Sequence, residues 1–68
     1  MSARYTFFKK TPDQGWVMLE PQFMRLKASD VSTVADSVSM GLGLPVLVVH
    51  ERRGGLGINV YESSGGVK

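Results

Sequence analysis

The chain has 68 residues and a mass of 7.4 kDa, is 43% hydrophobic and 21% charged, and contains no cysteine. This size leaves room for one small domain, and this composition excludes a disordered chain. The absence of cysteine excludes a disulfide framework, a thiolate metal site and a thiol nucleophile. Packing alone must therefore hold the fold together, and a domain this small is only marginally stable unless a partner covers part of its surface.

The positive charge of the chain is slight. Eight Lys and Arg against six Asp and Glu give a net charge of +2 and a pI near 9.3. Because each phosphate contact needs its own cation, the clustering of Lys and Arg residues is more informative than the net charge. The cations cluster in three places: Lys9 with Lys10, Arg25 with Lys27, and Arg52 with Arg53. No apolar run approaches the roughly 20 residues that span a bilayer, and MSARYTFFKK contains no secretory hydrophobic segment, so we expect a cytoplasmic protein that binds no membrane.

The first half of the chain predicts a β-hairpin and a short third strand. Residues 4–10 are aromatic and rich in β-forming side chains, residues 11–15 carry turn chemistry, and residues 16–20 resume as a strand. Pro21 cannot donate to a sheet, so it marks an edge, a bulge or a corner. Residues 23–27 continue in extended form.

A single helix follows. One apolar stripe at helical spacing consists of Val31, Val34, Ala35, Val38 and Leu42. Ser29 or Asp30 is a suitable N-cap, since its side-chain oxygen can accept from a free amide of the first turn. Gly41 and Gly43 end the helix, and Pro45 prevents its continuation. The outward side of this helix is expected to consist of Ser32, Thr33, Asp36, Ser37 and Ser39.

Two more strands complete the predicted fold. Residues 44–52 form an apolar, β-branched run that requires cover on both faces along its first half, Gly54-Gly55 indicates a tight turn, and residues 56–61 alternate as a last strand. The prediction is an α+β domain over residues 1–62, β-β-(β)-α-β-β, with one helix on one face of a mainly antiparallel sheet. Residues 63–68 are expected to be a flexible tail.

The tight turn predicts which residues of the last hairpin share a face. It pairs Val49 with Val60 and His50 with Asn59. We place one face against the helix: Leu47, Val49, Leu56, Ile58 and Val60. The other face is amphipathic and left without a helix: Val46, Val48, His50, Arg52, Asn59 and Tyr61. Such a composition is typical of an interface, so Val48, His50, Asn59 and Tyr61 are the predicted partner or dimer surface. A slip of one residue would reverse the two faces.

Nucleic-acid binding is the alternative. The candidate phosphate contacts are Lys9, Lys10, Arg52 and Arg53, with Tyr5, Phe7 and Tyr61 available to stack on bases. The simpler interpretation is that the aromatic rings fill the sheet and the hairpin-tip charges maintain solubility. Trp16 follows a loop glycine and is predicted to cover the small core, the alternative being a platform on which a base stacks.

The sequence contains no recognisable catalytic or metal-binding equipment. His50 is the sole histidine, no Gly-x-Ser-x-Gly motif accompanies it, and the six carboxylates are scattered singly. We therefore expect no enzyme activity, no cofactor and no metal.

The order of motifs between residues 4 and 40 resembles the small HicB-like antitoxin domains and related short β-β-α-β domains. The resemblance rests on the run Gly15-Trp16-Val17-Met18 after a charged loop, on Pro21, and on a helix containing Ala35. The chain lacks the Pro-Asp-Leu-Pro-Gly turn and the Gly-x-Thr before the helix of those domains. The resemblance implies the fold and a protein partner, and it carries no functional residue across.

The functional prediction is a non-enzymatic protein-binding module that forms a homodimer through its open sheet face. We expect it to act on an unidentified protein partner as a regulator or inhibitor, of the kind that mobile elements often encode. The alternative is a sheet that binds single-stranded DNA or RNA through basic hairpin tips.

Overall fold

The predicted α+β architecture is confirmed. The structure, a computed structural model, describes residues 3–51 and 58–67, with the backbone alone at positions 51 and 58–60. Within these residues five strands and one α-helix follow in the predicted order, with a short 3₁₀ turn before the helix. The elements are β1 (Ala3–Thr11), β2 (Gly15–Met18), β3 (Met24–Leu26), the 3₁₀ turn (Ala28–Asp30), α1 (Val31–Leu42), β4 (Val46–Glu51) and β5 (Ile58–Ser63).

The strands form one antiparallel sheet with the order β2-β1-β4-β5. β1 is central: Thr6 pairs with Val49 of β4, and Phe8 pairs with Met18 of β2 as well as with β4. β3 pairs with the first residues of β1, from Ala3 to Tyr5, so β2 and β3 follow one another along that strand. β2 and β5 therefore lie on opposite sides of the central pair of strands.

The core lies between α1 and one face of the sheet. Among the residues whose side chains are described, six hydrophobic ones are buried there: Tyr5 and Phe7 of β1, Val46 and Val48 of β4, and Val31 and Ala35 of α1. Partly buried side chains surround them: Ala3, Leu19, Met24, Leu26, Val34, Val38 and Tyr61. Ala35 and Val46 are both 0% exposed, so the helix approaches the sheet closely where its side chain is smallest.

The register of the last hairpin is the predicted one, but the assignment of its faces is wrong. Val49 pairs with Val60 and His50 with Asn59, as expected from a two-residue turn, although the turn itself lies outside the described residues. The helix covers Val46 and Val48 instead of Leu47 and Val49. The reason lies in β1, where Phe7 pairs with Val48 and brings the buried aromatic rings to that face.

The helix has the predicted bounds but a shifted buried side. Its buried residues are Val31, Ala35 and Ser39, whereas Leu42 is 42% exposed. The Ser39 hydroxyl was expected to face outward; it is buried and donates to the Leu44 carbonyl oxygen at 2.7 Å. This bond satisfies a polar group that would otherwise be costly to bury.

The ends of the helix differ in how they are closed. Asp30 occupies the N-cap position, but its side chain makes no capping hydrogen bond because the 3₁₀ turn leads into the helix with helical backbone angles. Gly43 ends the helix at φ +69°, in the left-handed region that favours glycine, and its N–H donates to the Ser39 carbonyl oxygen at 2.8 Å.

The predicted C-terminal tail does not begin at residue 63. Ser63 is the last residue of β5 and is only 4% exposed. Beyond it, the Gly66 N–H donates to the Ser39 hydroxyl at 3.1 Å. The segment through Gly66 therefore packs against the end of α1, because a buried helix hydroxyl offers its backbone a partner.

Candidate functional site

The residues predicted to form the partner surface lie on the helix side of the sheet. Val48 is 1% exposed and belongs to the core, and Tyr61 packs against that core. His50 lies on the same side, with its ring centroid 4.7 Å from that of Tyr5. The prediction that Val48, His50 and Tyr61 form an uncovered face is therefore wrong. Asn59 pairs with His50 through the backbone, and its side chain lies outside the described residues.

These residues instead border a cleft of about 260 Å³ where the helix begins. Its lining consists of Tyr5, Ala28, Val31, Ser32, Val48, His50 and Tyr61. The volume is below the 300–1,000 Å³ usual for small-molecule sites. Among the described residues, no group of three or more His, Cys, Asp or Glu side chains is placed to hold a metal ion.

A carboxylate beside this cleft joins the helix to the edge strand. Asp36 of α1 accepts hydrogen bonds from the Ser63 hydroxyl at 2.6 Å and from the Tyr61 hydroxyl at 3.2 Å. The pKa of Tyr61 is raised above its ordinary value of 10.0. The largest cause is the loss of water around the phenol, and the negative charge of Asp36 and its hydrogen bond to the phenol are the smaller causes. The neutral phenol is thus the favoured form, and the bond is present until pH rises through this raised pKa. Asp36 has a structural role.

The predicted nucleic-acid contacts that the structure describes do not form one surface. Tyr5 and Phe7 are 6% and 4% exposed under the helix, so the prediction that they stack on bases is wrong. Lys9 is partly buried on the helix side, because it alternates with the exposed Lys10 on β1. Arg52 and Arg53 lie outside the described residues.

The opposite side of the sheet is the candidate site, and none of the described elements packs on it. Strand alternation places on it Arg4, Thr6, Phe8, Lys10, Trp16, Met18, Arg25, Leu47, Val49 and Glu62. We call these residues the open face. Its middle is apolar: Phe8, Leu47 and Val49 are partly buried by their neighbours, while Met18 is 40% exposed.

The first hairpin brings a cation and an aromatic ring together on the open face. The Thr11 hydroxyl accepts from the Gln14 N–H at 3.0 Å and donates to the Gly15 carbonyl oxygen at 3.1 Å, which closes the turn. Trp16 then pairs with Lys10, whose ammonium lies 5.9 Å from the indole centroid. Trp16 is 38% exposed on this side, so the prediction that it covers the core is wrong.

A second such pair lies at the other end of β1. The Arg4 guanidinium carbon is 4.1 Å from the ring centroid of Phe23, and Phe23 is 39% exposed. Arg25 pairs with Arg4 across β3 and β1. Each end of β1 therefore presents positive charge beside an exposed aromatic ring on the open face.

Charge on the open face differs from one edge to the other. β1 and β3 contain cations, β2 contains no charged residue, and none of these three strands contains an acidic residue. The exposed Glu62 lies on β5, directly beyond Leu47. The open face is thus positive toward β2 and β3 and carries a carboxylate at β5.

Comparison with protein-family models, with curated proteins and with solved structures gives no match to this chain. The HicB-like resemblance therefore stays a prediction. In the described part of the chain, no helix has the length and apolar composition needed to cross a membrane.

Proposed function

We propose that this chain is a non-enzymatic binding module that forms a homodimer through its open face. One observation carries the proposal: the apolar middle of that face, Phe8, Leu47 and Val49 with Met18, is not covered by any described element. Antiparallel sheets bury such faces by packing against a second sheet at about 10 Å. A second copy of the chain supplies that sheet.

The arrangement of polar groups supports this occupant. Lys10 and Arg4 lie at opposite ends of β1, and the apolar side chains lie between them. A buried apolar centre with charges at its border is the usual anatomy of a protein interface. The small size of the domain adds a reason, because a chain of 68 residues has a small core and burial of this face adds to it. The predicted regulatory role, its further protein partner and the cytoplasmic location stay predictions.

Sedimentation velocity tests the homodimer. At about 100 µM the wild-type chain is expected to sediment at twice its 7.4 kDa mass. Leu47→Arg places an unpaired charge at the centre of the interface and is expected to weaken association at least ~100-fold, giving a monomer.

Leu42→Arg is the matched control, because Leu42 is exposed on the helix, away from the open face. This variant is expected to retain the dimer mass. A wild-type monomer at this concentration, or equal effects of the two leucine substitutions, would contradict the proposal.

Single-stranded nucleic acid is the second candidate occupant of the same face. The observation that favours it is the pairing of exposed rings with cations, Trp16 with Lys10 and Phe23 with Arg4. Proteins that bind single strands combine stacking rings with a positively charged path for the backbone. The stacking residues would then be Trp16 and Phe23, in place of the buried Tyr5 and Phe7.

Trp16 is the only tryptophan of the chain, so its fluorescence reports this site directly. We expect an oligothymidylate to leave that fluorescence unchanged at physiological salt, since the three cations that the described residues place on the open face are few for tight binding. Strong quenching would instead favour nucleic acid over a second copy of the chain as the occupant, provided that the binding constant falls with salt concentration at a log–log slope near −0.7 per phosphate contact. Loss of that quenching in Lys10→Glu but not in Lys27→Glu would place the nucleic acid on the open face.

A further inference from the structure

The unequal charge of the open face selects one orientation of the two copies. A face-to-face dimer of identical chains has a two-fold axis lying between the sheets, and the same surface contributes from both sides. Where the strands of the two packed sheets stay aligned, the axis runs either along the strands or across them. The two orientations bring different edges of the open face together, so they differ in which charges meet.

We propose that the two-fold axis runs along the strands, a proposal that rests on the homodimer proposed above. Rotation about this axis places β2 of one copy over β5 of its partner, and β1 over the partner's β4, because the sheet order is β2-β1-β4-β5. Phe8 then lies over the partner's Leu47. The cationic side of each open face meets the side of the other that carries Glu62.

An axis along the strands brings Lys10 of one copy close to the partner's Glu62. Phe8 pairs with Met18 on one side and with Leu47 on the other, and Leu47 pairs with Glu62, so these four residues form one row across the sheet. Rotation places the partner's Glu62 over Met18. The Lys10 ammonium lies toward β2, 5.9 Å from the centroid of the Trp16 ring, and Met18 is two residues from Trp16 on that strand. Two long side chains span a gap of about 10 Å between packed sheets.

An axis across the strands brings together charges of the same sign. Each strand then lies over its own copy with its direction reversed, and the centre of β1 lies between Thr6 and Phe8. Lys10 of one copy therefore lies over the partner's Arg4, and the same pair recurs on the other side of the axis. Like charges placed opposite one another disfavour this orientation.

Charge reversal tests the orientation. In sedimentation equilibrium at low salt, Lys10→Glu and Glu62→Lys are each expected to weaken the dimer about tenfold, since each converts two attractions into two repulsions. The double variant Lys10→Glu/Glu62→Lys is expected to return to within about threefold of the wild type. High salt is expected to reduce all of these differences.

Lys27→Glu is the matched control, because Lys27 is exposed and lies outside the strands. It is expected to change the dissociation constant less than about twofold. Circular dichroism spectra matching the wild type show that the variants remain folded.

These measurements test the orientation of the axis separately from the existence of the dimer. A monomeric wild type contradicts the homodimer. A wild-type dimer that Lys10→Glu strengthens, with Glu62→Lys near neutral, shows the axis across the strands, since the new carboxylate then faces Arg4. A wild-type dimer in which the double variant stays as weak as the single variants also overturns the proposed orientation.

Discussion

An Ala35→Asp chain is expected to be unfolded at 25 °C. Ala35 is 0% exposed at the centre of α1, where the helix packs on Val46 and Val48. The new carboxylate would be buried without a partner, at a cost of several kcal/mol. Domains of this kind are stable by about 5–15 kcal/mol, and the smallest ones lie at the lower end. Far-UV circular dichroism and the dispersion of amide proton shifts measure the loss of structure.

Thr33→Asp is the control for this experiment. Thr33 is exposed in the first turn of the same helix, so the same carboxylate remains in water and interacts favourably with the helix dipole. This variant is expected to keep the wild-type spectrum. If Ala35→Asp kept it as well, the close contact between α1 and β4 would not exist.

The elements and the hairpin register are predictable because their signals are local. The spacing of Val31, Val34, Ala35 and Val38 indicates one helix, and Gly43 ends it where a left-handed residue is needed. Gly54-Gly55 predicts the pairing of Val49 with Val60 without any reference to the rest of the fold. Each of these inferences needs only a few neighbouring residues.

The choice of sheet face could not be made from the last hairpin alone. Both of its faces carry aliphatic side chains, so either could have faced the helix. The deciding pattern is in β1, where Tyr5 and Phe7 alternate with Arg4, Phe8 and Lys10. One side of β1 carries two cations, Arg4 and Lys10, whereas the other carries two aromatic rings and a single lysine and is the less costly side to place under a helix. This alternation is visible in the sequence and would have identified the open face.

The same error explains the wrong side predicted for three of the candidate site residues. Val48, His50 and Tyr61 were assigned to the uncovered side as a group, so one wrong choice moved all three. The pairing of Lys10 with Trp16 follows from the register of the first hairpin and could have been predicted from its turn. The contact of Arg4 with Phe23 could not, because Phe23 lies outside the strands.

The burial of Ser39 is hard to predict from the sequence for a different reason. A serine at a helical position ordinarily indicates the solvent side, although Ser39, unlike Ser37, lies four residues after Ala35 and so borders the apolar stripe. Its burial depends on two backbone groups, the Leu44 carbonyl and the Gly66 N–H, which the tertiary path of the chain brings to it. Contacts between residues 27 positions apart leave no periodic signal.

Gly66 lies so close to the helix backbone at Ser39 that a larger residue at position 66 is expected to destabilise the fold. A Cβ at position 66 would overlap the Ser39 carbonyl oxygen and lie 2.5 Å from its carbonyl carbon. Both atoms belong to the helix backbone, which cannot give way as a side chain would. Gly66→Ala is therefore expected to displace the C-terminal segment and break the hydrogen bond to the Ser39 hydroxyl. We expect a loss of about 2 kcal/mol in the free energy of unfolding, measured by urea denaturation.

Gly65→Ala separates this contact from the general effect of replacing glycine. A Cβ at position 65 meets only the Ser63 hydroxyl at 3.7 Å and Met40 at 3.8 Å, both ordinary contacts. Replacement of glycine by alanine also restricts the unfolded chain, which favours folding by about 0.4–1 kcal/mol where the native backbone permits it. Gly65→Ala is thus expected to be neutral or slightly stabilising while Gly66→Ala destabilises. Equal stability of the two variants would show that the segment does not pack on α1, and the flexible tail expected from its Ser-Gly composition would then be the correct description.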